Sequence, residues 1–80
     1  MDLKDIKVNI RACRVNAGMG QKEWGERIGV AQGTVYNWER GKSEPTLAQL
    51  RTISNLSGIP LDCIVLPNDS YNVNQDSEEI

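Results

Sequence analysis

This 80-residue sequence predicts an all-α fold: five short helices packed compactly, then a short acidic tail. Three observations carry that expectation. Apolar residues recur at intervals of three and four along most of the chain, the pattern of helices that each bury one stripe. Glycines at 18, 29, 41 and 58 follow those stripes, where helices stop. The final stretch, 67–80, holds four acids (Asp69, Asp76, Glu78, Glu79) and no base.

Leu3, Ile6, Ile10, Cys13 and Ala17 form the first stripe, with Asp2 as the expected cap and Gly18 as the stop. Residues 21–28 and 32–39 form a second and a third helix, joined by Gly29, Val30 and Ala31, a turn of helix-turn-helix length. Trp24, Ile28, Val30, Val35 and Trp38 fall where two steeply crossing helices turn a face inward. Gly25 sits at the expected crossing point, and Gly29 supplies the left-handed exit from the second helix. After the polar loop Gly41–Lys42–Ser43–Glu44–Pro45, residues 46–56 carry Leu47, Leu50, Ile53 and Leu56 at helical spacing. Gly58 ends that helix, and Pro60 is expected to open a short fifth one through about Val65. Beyond Pro67 the sequence is polar, acidic and aperiodic, which predicts a disordered tail.

The residues 21–41 with Pro45 resemble the lambda-repressor/Cro-like helix-turn-helix family of bacterial and phage transcriptional regulators. Gln21 opens the motif, Gly29-Val30 forms its turn, Thr34-Val35 lies in its recognition helix, and Trp38-Glu39-Arg40-Gly41 closes it. Leu47, Leu50, Ile53 and Leu56 match the family's fourth helix, and Ile59-Pro60-Leu61-Asp62 the entry to its fifth. The resemblance covers residues 10–66 and implies a five-helix DNA-binding domain over 1–66, with the motif at 21–40. It also implies a structural pair between Arg14, late in the first helix, and Glu39, late in the recognition helix. Three positions depart from the family pattern. Gly20 and Ala31 stand where Ser or Thr is preferred as a cap, so the recognition helix is expected to fray at its start until DNA satisfies it. Trp24 stands where leucine is usual.

A recognition helix enters the major groove with its N-terminal side chains deepest. The candidate base contacts are therefore Gln32, Thr34, Tyr36 and Asn37. Gln32 and Asn37 offer amides that pair with adenine, and the Thr34 methyl suits a thymine methyl. The resemblance implies a readout side chain at position 33, so Gly33 is expected to leave one base contact unmade. The candidate phosphate contacts are Gln21, whose backbone N–H begins a helix, and Arg40 and Lys42, which follow the recognition helix. Trp24 and Trp38 occupy inward positions and are expected in the core.

Charge qualifies this reading. The net charge is −2 and the pI about 5.0, yet residues 1–66 hold nine Lys and Arg against seven acids, giving +2. A field that weak puts the burden of DNA affinity on placed contacts. Catalysis finds no footing: the sequence has no histidine, Cys13 and Cys63 lie far apart, and the glycines follow a helix where a phosphate loop needs a strand. No cofactor or metal is expected. No run of 18 apolar residues is present and the chain begins with a charged segment, so a soluble cytoplasmic protein with reduced, buried thiols is expected.

Two functional readings follow. The first is a sequence-specific transcriptional regulator, a repressor, bound as a homodimer to a palindromic operator on double-stranded DNA. Its dimer contact is expected on the fifth helix through Ile64, Val65 and Leu66. The alternative is a protein-interaction module on the same fold, antitoxin-like or an adaptor, with weak DNA binding.

Overall fold

The computed structural model describes residues 6–67. Asp2, Leu3 and the acidic residues beyond Pro67 lie outside them. The described chain runs β1 (Val8–Asn9), α1 (Ile10–Asn16), α2 (Gln21–Ile28), α3 (Gln32–Glu39), α4 (Leu47–Ser57), a single 3-10 turn (Leu61–Cys63) and β2 (Ile64–Val65). It is mostly helical, with four α-helices among the described residues.

Both ends depart from the five-helix expectation. The first helix begins at Ile10, because Asn9 caps it: the Asn9 Oδ1 accepts a hydrogen bond from the Ala12 N–H at 2.8 Å. Val8 and Asn9 are extended and pair in parallel with β2, Val8 opposite Ile64 and Asn9 opposite Val65. The expected fifth helix is only the 3-10 turn, closed by the Cys63 N–H on the Pro60 carbonyl at 2.9 Å. Ile64 then turns extended, at φ −87° and ψ 125°. Two successive β-branched residues favour that conformation once a partner strand lies beside them. The residues expected to form a dimer contact on a fifth helix, Ile64, Val65 and Leu66, thus lie in or directly after an extended strand and are half-buried, with Ile64 and Leu66 packed against the core.

The core is a single cluster of Ile10, Cys13, Trp24, Val35, Trp38 and Ile53, drawn from all four helices. α1 packs on α4, and α2 on α3. Asn16 ties the first pair together, its side-chain amide donating to the Ser57 carbonyl at 2.9 Å. Buried Ser57 satisfies itself by donating to the Ile53 carbonyl at 2.8 Å and accepting from the Ile59 N–H at 3.2 Å. α4 is the best capped helix: Thr46 and Gln49 exchange side-chain and backbone hydrogen bonds at its start. Cys13 and Cys63 are both buried free thiols. Burial pushes the Cys13 thiol up from its ordinary value, against the opposing hydrogen bond with Ser57.

Two glycines set the α2–α3 corner. Gly29 adopts φ 97° and ends α2, its N–H bonded to the Gly25 carbonyl at 2.7 Å. Gly25 is buried where the turn crosses back over α2, and a Cβ there would stand 2.6 Å from the Val30 carbonyl oxygen. Only a residue without a side chain allows this approach.

Candidate nucleic-acid interface

α3 divides cleanly into two sides. Val35 and Trp38 are buried, whereas Gln32, Gly33, Tyr36 and Arg40 are exposed and Thr34 and Asn37 half-buried. The exposed side is polar, and no acid lies in the helix's first turn. A phosphate approaching this end meets a helix N-terminus without a competing carboxylate. Neither Gly20 nor Ala31 makes a side-chain capping hydrogen bond.

The C-terminal end of α3 is locked by an ion-pair network. The Arg14 Nε donates to Glu39 Oε2 at 2.7 Å and its Nη2 to Oε1 at 3.2 Å, a two-pronged fit of guanidinium to carboxylate. The third nitrogen, Nη1, donates to the Met19 carbonyl at 3.0 Å. Gln21 completes the network, its Nε2 donating to Glu39 Oε1 at 3.1 Å. The paired side chains are only 12% and 6% exposed. One carboxylate thus joins the end of α1, the start of α2 and the end of α3. Arg14 also neutralises an acid that would otherwise oppose a phosphate.

Of the residues singled out in the sequence, Arg14, Gln21 and Glu39 meet in this network, and the Gln21 side chain faces Glu39 at the start of α2. Tyr36 and Arg40 meet on the exposed face: the Arg40 guanidinium carbon lies 5.3 Å from the ring centroid and its Nη1 donates to Tyr36 Oη at 3.2 Å. Gln32, Thr34 and Asn37 share α3 without a hydrogen bond between their side chains. Lys42 is exposed in the following loop, its N–H fixed to the Asn37 carbonyl at 2.9 Å. Trp24 and Trp38 are core residues, and the Trp24 indole N–H is buried without a partner. The sequence reading did not pick out Met19 and the Tyr36–Arg40 contact. The second had a signal in the four-residue spacing of an aromatic and a cation on one helix.

A helix-turn-helix family model matches residues 10–62, two thirds of the chain, and the chain belongs to that family, of the lambda-repressor/Cro-like type. A relative in Bacillus subtilis (strain 168), the SPbeta prophage-derived uncharacterized HTH-type transcriptional regulator YonR, is 29% identical over 56 residues. That alignment takes in 70% of this chain and 52% of the relative, so the chain spans about half the relative's length. No solved structure matches significantly. Among the described residues no helix is long and apolar enough to cross a membrane.

Proposed function

We propose that this chain is a sequence-specific DNA-binding transcriptional regulator, a repressor, that places α3 in the major groove. The observation that carries the reading is the exposed polar face of α3, held at a fixed angle by the Arg14–Glu39–Gln21 network. In this reading Gln32, Thr34 and Asn37 meet base edges, with Tyr36 on the same exposed side. The Gln21 backbone, Arg40 and Lys42 meet phosphates. Residues 1–66 act as the DNA-binding domain and 67–80 as an acidic tail. A single short α3 covers few base pairs, so the protein works as a homodimer on a palindromic duplex, in the cytoplasm and without a cofactor or catalytic role.

The low charge and Gly33, an open position near the start of α3, favour a second reading as a protein-interaction module with weak DNA binding. A salt titration against a duplex selected from a random library, beside unselected duplex, separates the two. The regulator binds the selected duplex more tightly and loses affinity as salt rises; the module shows no salt-dependent binding near physiological ionic strength. Gln32→Ala is expected to cost about 1–3 kcal/mol on the selected duplex and little on random DNA. Equal weakening on both would remove Gln32 from base readout.

A further inference from the structure

We propose that Tyr36 is a positioning residue for Arg40, and that the two form one preassembled clamp for a DNA phosphate. The inference rests on the DNA-binding reading and assigns Tyr36 a task other than touching a base. Tyr36 is 47% exposed, so half of a large aromatic ring stands outside the core. That exposed ring is not idle. Arg40, one turn further on, lays its guanidinium over the ring face, with 5.3 Å from its carbon to the centroid. The Arg40 Nη1 also donates to Tyr36 Oη at 3.2 Å. Two different contacts to one side chain leave the long arginine stem far fewer arrangements than it has in solvent.

Arg40 is free for an anion. Among the described residues the ion pairs are Arg14 with Glu39 and Arg27 with Glu23, and none uses Arg40. A guanidinium carries five N–H donors, and only one is taken by Tyr36. Arg40 caps α3 at its C-terminal end in helical conformation, at φ −95° and ψ −1°. Eight residues of rise, roughly 12 Å, separate it from Gln32. When the N-terminal end of a recognition helix lies deepest in the groove, the C-terminal end stands over the flanking backbone. The ligand chemistry at Arg40 is therefore a phosphodiester oxygen. The Tyr36 ring, pinned against the cation, is turned to Arg40 and not to a base.

The test is a cycle of Tyr36→Ala, Arg40→Ala and the double variant, with Tyr36→Phe alongside, on selected and random duplexes across a salt series. Arg40→Ala is expected to weaken both duplexes by the same factor and to reduce the slope of log affinity against log salt by about 0.9. Tyr36→Ala should weaken both duplexes equally, by a smaller factor, and should add nothing once Arg40 is gone. Tyr36→Phe, which keeps the ring and loses the hydrogen bond, should fall between wild type and Tyr36→Ala. In the free protein, Arg40 side-chain protons should show an upfield ring-current shift that survives Tyr36→Phe and disappears in Tyr36→Ala. A changed base preference in Tyr36→Ala, or losses that add in the double variant, would overturn the clamp while leaving DNA binding intact. A wild type with no salt-dependent binding to either duplex overturns the DNA-binding reading and the clamp with it.

Discussion

Gly25→Ala puts one methyl group between α2 and the turn that crosses it. The new Cβ lies 2.6 Å from the Val30 carbonyl oxygen and 3.4 Å from the carbonyl carbon and oxygen of Ala31. These are backbone atoms, with no rotamer to change. Nor can the turn slide away, because the Gly25 carbonyl accepts from the Gly29 N–H at 2.7 Å and the Val30 N–H at 2.8 Å. Overpacking of this kind costs about 1–3 kcal/mol, and weakening the two hydrogen bonds adds about 1 kcal/mol. The opposing gain, alanine over glycine inside a helix, is about 1 kcal/mol. The net expectation is a loss of about 1–3 kcal/mol, with each kcal/mol lowering the melting temperature of a domain this size by about 4–8 °C. Gly33→Ala is the matched control: its Cβ meets nothing within 4 Å, so only the propensity gain remains, about 0.5 kcal/mol near a helix start. Thermal and urea unfolding, followed by circular dichroism and by the fluorescence of buried Trp24 and Trp38, reads both variants. A Gly25→Ala midpoint at or above wild type would refute the close-approach argument, as would both variants moving down together.

Arg14→Ala leaves the Glu39 carboxylate mostly buried with Gln21 as its remaining side-chain partner, and is expected to destabilise by about 2–4 kcal/mol; an unchanged urea midpoint would mean that the pair contributes nothing. The two thiols should resist an aromatic disulfide reagent in the native state, since both are buried and burial holds Cys13 protonated. Both should react on unfolding, and one fast thiol in the native protein would contradict the packing. Removing residues 67–80 changes the net charge from −2 to +2. That truncation should leave the melting temperature unchanged and tighten non-specific DNA binding, by a margin that shrinks as salt rises. A truncated chain that unfolds would show that Tyr71, Val73 or Ile80 contributes to the folded body.

The corner between α2 and α3 was legible because its determinants are local. Gly25, Gly29 and the spacing of Trp24, Val35 and Trp38 lie within one short stretch and follow helical geometry. The strand pair was not. Each strand has two residues, too few to show an alternating pattern, and the partners come from opposite ends of the described chain. The helical spacing of Ile6 with Ile10 suggests a helix across Val8 and Asn9, where the chain is extended, although Asn9 directly before Ile10 is itself a capping signal. Pro60 suits the first position of a helix, but that role needs helix formers behind it, whereas Ile64 and Val65 are β-branched. At the candidate interface, the Arg14–Glu39 contact was suggested by family resemblance alone, since nothing in the spacing of residues on different helices singles it out. The entry of Gln21 into that network depends on how α2 starts relative to the end of α3, which is tertiary geometry.

The strand pair has a mechanical consequence. Because β1 and β2 run parallel, the chain enters the pair at Val8 on one end and leaves it after Val65 on the other. Tension applied through the flanking segments therefore pulls the strands lengthwise past each other, loading their hydrogen bonds together and not peeling them one at a time. The helices lie between the two strands in sequence, so this clasp screens them from a pull along the chain until it slips. Anything tethered beyond Pro67, or before Ile6, would transmit force to the clasp before reaching α3.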